Sequence, residues 1–100
     1  MPLFLINARD RAGSLDLRMA NRADHLDWAA GFADRIAVAG PVFAEDGETM
    51  AGSTFVISFD TLAEARAWAA EDPYAKAGLF DRVEVAAFKW SIGSGKPSDG

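Results

Sequence analysis

The one histidine of this sequence, His25, is its best candidate for acid–base chemistry. An imidazole titrates nearest to neutral pH, and a carboxylate behind it fixes its tautomer and stabilises its protonated form. Ala29, Phe32 and Ile36 follow at helical spacing, within about 40° of His25 at ~100° per residue. His25 therefore points inward from a predicted helix, either as a general base or as a hydrogen-bonded core residue.

Two aspartates are candidate partners of that imidazole. Asp10 follows the first predicted strand, and Asp72 precedes Pro73 where the second predicted helix stops. The predicted topology brings both to the same end of the domain as His25 and does not choose between them. Each aspartate also has a purely structural interpretation: Asp10 as the cap of its loop, and Asp72 as the cap of the Asp–Pro turn.

Three more residues reach that end of the predicted fold and are candidates for substrate binding. Arg22 can attract a carboxylate or phenolate, Tyr74 can stack or donate a hydrogen bond, and Ser53 adds a hydroxyl group. Arg22 can also be a simple surface charge, and Ser53 an ordinary strand hydroxyl. No nucleotide-binding glycine loop or metal-ligand set accompanies them, so hydrolase or lyase chemistry fits best.

Four short runs rich in β-branched and aromatic residues predict the strands that position these side chains. They are residues Leu3–Ala8, Ala37–Phe43, Ser53–Phe59 and Arg82–Trp90. Proline cannot donate a hydrogen bond to a ladder, so Pro41 predicts that the second strand lies at a sheet edge or bulges there.

Two stretches with apolar residues three or four apart predict the helices. The first runs over residues 21–36, with Asn21 as its N-cap and His25 near its start. The second begins at a capping box on Thr61 and stops before Asp72–Pro73, because the residue before a proline resists the helical region.

The element order, β-α-β-β-α-β, is that of the ferredoxin-like α+β fold. It predicts one four-stranded antiparallel sheet in the order 4-1-3-2, with both helices on one face, as a single domain over residues 1–92. Residues 74–81 are predicted as a loop or short turn, and residues 93–100 as a flexible tail. The 100 residues suit one core of this kind.

Composition narrows the classes of function. The net charge of −5 disfavours a nucleic-acid partner, because phosphates select basic patches. The absence of cysteine and the single histidine argue against a metal centre, and no cofactor is expected. No apolar run approaches the roughly 18–20 residues of a membrane span, and the first residues do not resemble a signal peptide. We therefore predict a cytoplasmic protein without a membrane partner.

Half of the residues are hydrophobic, and the predicted strands carry them on both faces. Leu3 and Leu5 point to the face opposite to that of Phe4 and Ile6. In the third strand, Phe55, Ile57 and Phe59 likewise oppose Thr54, Val56 and Ser58. An exposed apolar patch of more than a few hundred Å² is unusual in a monomer. We predict a homodimer through the open sheet face, with cover by tilted helices or by the tail as the alternative.

Several short motifs, in this order and spacing, resemble the YciI-like (YCII-related) family. They are Asn7–Asp10, Leu17-Arg18, Arg22-x-x-His25-Leu26, Ala39–Pro41, Gly52–Thr54, Ala67–Ala69 and Asp72-Pro73-Tyr74. The resemblance covers residues 1 to about 90. It implies a dimeric α+β barrel with a site centred on His25 and either Asp10 or Asp72, in a cleft near the dimer interface. A related member is a dechlorinating hydrolase that acts on a hydroxylated aromatic compound.

Two functions of different class follow from these residues. The first is a small-molecule enzyme of hydrolase or lyase type, in which His25 and an aspartate form a general acid–base pair. The second is a non-catalytic dimeric module that binds a ligand or serves as an accessory domain. In both cases the expected partner is a small molecule.

Overall fold

The computed structural model describes residues 2–96 and has the predicted ferredoxin-like α+β architecture. The strands are β1 (Leu3–Asp10), β2 (Ile36–Phe43), β3 (Met50–Ser58) and β4 (Phe80–Phe88), and the helices are α1 (Leu15–Ala30), α2 (Leu62–Ala70) and α3 (Pro73–Lys76). All neighbouring strands are antiparallel in the order β2-β3-β1-β4, which confirms the predicted sheet. Among residues 2–96, no helix is long and apolar enough to span a membrane.

The core lies between the sheet and the helices, and alternate strand residues point into it. Phe4 and Ile6 of β1 are buried beside Phe55 and Ile57 of β3, and the ring of Trp68 from α2 lies 5.0 Å from that of Phe55. Burying each such side chain contributes roughly 1.5–3 kcal/mol. If the pairing of one strand shifted by one residue, the side chains of that strand would turn to the opposite face of the sheet. The burial of these side chains therefore fixes the register.

Helix α1 begins and ends six residues earlier than predicted. Asn21, predicted as the N-cap, lies inside the helix, where its side-chain amide donates to the carbonyl of Leu17, and Ser14 occupies the N-cap. The early start is held by tertiary contacts, because Arg18 is buried against strands β1 and β3. His25 consequently lies in the middle of α1 and not near its start.

Strand β1 also ends later than predicted, whereas two other predictions, on β2 and α2, agree with the structure. β1 continues to Asp10 because Arg9 pairs with a neighbour on each side of the strand. β2 is an edge strand, as Pro41 predicts. The capping box of α2 is confirmed, since the Thr61 hydroxyl accepts from the Glu64 amide and the Glu64 carboxylate accepts from the Thr61 amide.

The stretch predicted as a loop or short turn at 74–81 contains most of the short helix α3 and the start of β4. Pro73 occupies the first turn of α3, where its missing amide hydrogen costs nothing. After β4, the indole of Trp90 donates to the backbone carbonyl of Ile92. Residues 97–100 lie outside the described residues, so the flexible tail over 93–100 stays a prediction.

One face of the sheet carries no described helix. Its side chains include Leu3 and Leu5, which are half-buried, together with Val56, Phe88 and Val38. Val38 is 56% exposed and Phe88 38%. The two-sided apolar pattern read from the sequence is therefore present in the fold.

Candidate active site

His25 and Asp72 meet where α1 passes the start of α3. The Nδ1 atom of His25 lies 2.8 Å from Oδ1 of Asp72, and the histidine is only 8% exposed. Asp72 is the N-cap of α3, and its Oδ1 also accepts the backbone amide of Tyr74 at 2.9 Å. A carboxylate can only accept, so we assign the neutral imidazole's hydrogen to Nδ1, which leaves a lone pair on Nε2.

Asp10, the other predicted partner of the histidine, is engaged by Arg18 instead. The guanidinium donates from Nε to Oδ2 at 2.7 Å and from Nη2 to Oδ1 at 2.9 Å. Nη2 also donates to the hydroxyl of Ser53 at 3.0 Å. Burial lowers the pKa of Arg18, but the hydrogen bond and charge of Asp10 outweigh it and leave this pKa raised.

Arg18 was not among the predicted site residues, although it is 2% exposed and lies at the centre of this network. A helical arginine usually faces solvent, so its type gives no warning of burial. One signal was available. Arg18 precedes His25 by seven residues, which places the two on the same face of α1 once the helix is extended to Leu15.

The ring of Tyr74 packs against both of these side chains. It is stacked on the imidazole of His25 with centroids 4.0 Å apart and planes 16° apart, and the Arg18 Cζ atom lies 4.5 Å from the tyrosine centroid. Burial raises the pKa of the Tyr74 phenol, and the charges of Arg18 and Arg22 offset that rise only in part. The phenol is therefore protonated at neutral pH.

A pocket of about 130 Å³ opens between α1 and strands β2 and β3. A closed cavity of roughly 150 Å³ holds one benzene ring, so this volume limits the enclosed part of a ligand to about one ring. The polar lining consists of Arg18, Arg22, His25, Ser53 and Tyr74, and the apolar lining includes Leu26, Ala29, Ala39, Pro41, Met50 and Phe55. The pocket thus gathers the predicted His25, Arg22, Ser53 and Tyr74, while Asp10 and Asp72 stand behind the lining residues.

The second ring nitrogen of His25 is available to a ligand. Within residues 2–96 no hydrogen bond occupies Nε2, and the histidine lines the pocket. Across the same residues, no three His, Asp or Glu side chains group closely enough to hold a metal ion. A buried imidazole with a carboxylate on one nitrogen and an open pocket at the other can accept a proton from a bound molecule and return it.

Comparison with known proteins identifies the family. The sequence profile of the YCII-related domain matches residues 2–89. The chain belongs to the YCII-related family. Protein YciI of Escherichia coli is 38% identical over 94 residues, which is 87% of this chain and 96% of that protein. An uncharacterized protein of Haemophilus influenzae is 37% identical over 93 residues, covering 86% of this YCII-related chain and 95% of its own.

A solved structure extends the likeness to the whole fold. The 5-chloro-2-hydroxyhydroquinone dehydrochlorinase of Burkholderia phenoliruptrix, in complex with 2,5-dihydroxybenzoquinone, superposes with a TM-score of 0.79 at 33% identity. The match covers 95% of this YCII-related chain and 99% of the dehydrochlorinase. This structural relative is therefore an enzyme, and its solved structure contains 2,5-dihydroxybenzoquinone.

Proposed function

We propose that this YCII-related protein is a small-molecule enzyme. In it His25, hydrogen-bonded to Asp72, accepts a proton from a substrate with a hydroxylated six-membered ring and returns it. The observation that carries the proposal is the 2.8 Å contact between Nδ1 and Oδ1, combined with an unoccupied Nε2 at the pocket. A positioned general base of this kind contributes typically 10²–10⁴-fold to a rate. Asp72 stabilises the imidazolium that forms and returns the ring to the same tautomer.

The other lining residues have distinct roles in this proposal. Arg22 is exposed at the pocket and attracts a ligand that carries negative charge, an effect that salt screens. The Ser53 oxygen already accepts from Arg18, which leaves its hydroxyl hydrogen for a ligand oxygen. The Tyr74 ring holds the plane of the imidazole by stacking on it.

The dehydrochlorinase relative supports this reaction class, and the pocket volume fits a ligand of about one ring. Loss of hydrogen chloride from a chlorinated hydroxyhydroquinone converts two hydroxyl groups into carbonyls. One of their protons moves to the carbon that carries chlorine, and the other departs as chloride leaves with the electron pair of the carbon–chlorine bond. The net change is one proton and one chloride ion, so the step needs proton transfer and no oxidant. A histidine–aspartate pair supplies that transfer.

Chloride release from 5-chloro-2-hydroxyhydroquinone tests this function directly. We expect release by the wild-type protein, and a 10²–10⁴-fold slower release by His25→Ala and Asp72→Asn. Asp24→Asn is the matched control, because Asp24 is exposed and adjacent in sequence to His25. Calorimetric binding of 2,5-dihydroxybenzoquinone without chloride release would favour the non-catalytic ligand-binding module. If the protein neither binds 2,5-dihydroxybenzoquinone nor releases chloride, both functions are contradicted.

We also propose that the chain forms a homodimer through the open sheet face, which carries Leu3, Leu5, Val38, Val56 and Phe88. A two-fold axis would bring this apolar surface onto itself and remove it from water. Light scattering should give about twice the 10.7 kDa of one chain, and Val38→Asp should shift it to the single-chain mass. A wild-type monomer at micromolar concentration would refute the dimer. The pocket lies on the helical side of the sheet, so its nearness to the interface stays a prediction.

A further inference from the structure

Strand β3 contains a bulge that changes the direction of the Met50 side chain. Gly52 and Met50 pair with consecutive residues of β2, so Ala51 between them has no partner on that strand. Side chains of a regular strand alternate between the two faces, so without the extra residue Met50 would share the face of Gly52, opposite to Ser53. Met50 instead lines the candidate active site together with Ser53. The bulge therefore aims the thioether at the site, as bulges beside active sites often do.

Met50 stands between two cavities. One is the pocket of about 130 Å³ that contains His25. The other, the side cavity, has a volume of about 280 Å³ and is lined by residues 10–15, 44 and 49–51, from the loop after β1 and the hairpin that joins β2 to β3. Among residues 2–96, Met50 is the one residue that lines both. A methionine side chain is unbranched and has three rotatable bonds, so it can move aside and join the two spaces without a change of the backbone.

The side cavity offers a ligand little capacity for polar bonding, because its polar side chains already have partners in the protein. Both carboxylate oxygens of Asp10 accept from the Arg18 guanidinium, and the Thr49 hydroxyl donates to Asp46 at 2.6 Å. The Ser14 hydroxyl donates to the backbone carbonyl two residues before it, at 3.4 Å. The other lining residues, apart from an exposed arginine, are apolar or glycine: Ala12, Gly13, Leu15, Ala44, Met50 and Ala51. A lining of this kind selects an uncharged aliphatic group.

We propose that the side cavity receives a short uncharged alkyl substituent of the ring bound beside His25, and that Met50 determines which substituents are accepted. The inference rests on the proposed function, because that function supplies the ring. The pocket encloses about one ring, so a substituent directed at its Met50 wall has to displace the thioether to find room. The substrate class is then an alkyl-substituted, hydroxylated six-membered ring. Arg11 is exposed, so water and salt weaken its attraction for an acidic substituent.

Titration calorimetry with catechol and its 4-methyl, 4-ethyl and 4-propyl derivatives tests the side cavity. Burial of one methylene group strengthens binding roughly fourfold, so we expect the affinity of the wild-type protein to rise by about that factor with each added carbon. An affinity that stays level or falls along the series, or a series that does not bind at all, overturns the side cavity. Binding of 2,5-dihydroxybenzoquinone to the same preparation then shows that the ring pocket, and with it the proposed function, survives. If that compound does not bind either, both proposals fall.

Two variants test the role of Met50 with the same series. Met50→Ile keeps a similar volume but is branched at Cβ and stiff, so we expect catechol to bind within about twofold of wild type and the gain per carbon to disappear. Ala44→Leu fills the side cavity from an exposed position on the hairpin and should also abolish the gain, without a change at position 50. Met19→Ile is the matched control, since Met19 is 51% exposed on α1 and lines neither cavity. If either variant folds and keeps the wild-type gain per carbon, the proposal is overturned.

The charge of the substituent is tested with 3-(3,4-dihydroxyphenyl)propanoate, whose chain has the length of the propyl group but ends in a carboxylate. Because an unpaired charge is costly to bury, we expect this compound to bind the wild-type protein roughly tenfold more weakly than 4-propylcatechol does. Binding as tight as that of 4-propylcatechol, or tighter, would overturn the uncharged class. Loss of that tight binding in Arg11→Gln would then assign the side cavity to an acidic substituent.

Discussion

The Nδ1 atom of His25 lies 2.8 Å from the same carboxylate oxygen of Asp72 that caps helix α3. That oxygen also accepts the amide of Tyr74 at 2.9 Å, so one atom both starts the helix and orients the imidazole. The Asp–Pro–Tyr sequence thereby couples a local folding signal to the candidate site. Asp72 was predicted either to cap the turn or to be the partner of His25, and a single geometry allows both roles.

Asp72→Asn and Asp72→Ala should separate the cap from the charge. Asparagine retains Oδ1 as an acceptor and is an equally good N-cap, so we expect little change in the free energy of unfolding. Alanine leaves two buried donors without acceptors and should cost about 2–4 kcal/mol. Urea denaturation of the two variants measures this difference. Equal destabilisation by both would mean that the charge, and not the acceptor geometry, holds this part of the fold.

Tyr74 is expected to act through its ring. Tyr74→Phe preserves the stacking on His25 and the contact with Arg18, so stability should fall by less than about 1.5 kcal/mol. Tyr74→Ala removes a side chain that is 1% exposed and should cost about 3–5 kcal/mol. Thermal and chemical denaturation compare the two. A Phe variant as unstable as the Ala variant would show that the hydroxyl group carries the stabilisation.

We predict that any side chain at position 52 weakens the pairing of β3 with β1. A Cβ atom there would lie 2.5 Å from the backbone oxygen of Ala8, and a backbone atom cannot move aside cheaply. Gly52→Ala should therefore destabilise the protein by about 1–3 kcal/mol. Gly40→Ala on β2 is the control, because nothing lies within 4 Å of its Cβ position. Unfolding curves that shift equally for both variants would contradict this interpretation.

The hairpin between β2 and β3 should respond to strong acid. Hydrogen bonds from the Thr49 side chain and from the Thr49 and Glu48 amides lower the pKa of Asp46 from 3.8 to about 2. Because the folded pKa is the lower one, this local stabilisation is complete above pH 3.8 and is lost as the pH falls through about 2. Proton NMR of the Glu48 and Thr49 amides should show a common midpoint near pH 2. In Asp46→Asn the same amides should not titrate.

Helix α1 shows how far periodicity carries a prediction. The apolar residues between positions 25 and 36 predict a helix over residues 21–36, but the helix runs from Leu15 to Ala30, so both of its predicted ends are displaced. The inward position of the first turns is held by Arg18, a charged residue that interrupts the apolar pattern. Its burial depends on Asp10 and Ser53, which lie 8 and 35 residues away in sequence. No local rule registers a partner at that distance.

By itself, the sequence determined the order of the four strands and the two longer helices, the antiparallel sheet, the capping box at Thr61 and the inward direction of His25. These follow from spacing and from turn chemistry, which act over a few residues. Only the tertiary structure decided between Asp10 and Asp72, because both lie at the same end of the sheet and differ only in their neighbours. Arg18 takes Asp10, and the turn before α3 delivers Asp72 to the imidazole. Long-range pairing of buried charges made that choice, and it depends on distances that exist only once the chain has folded.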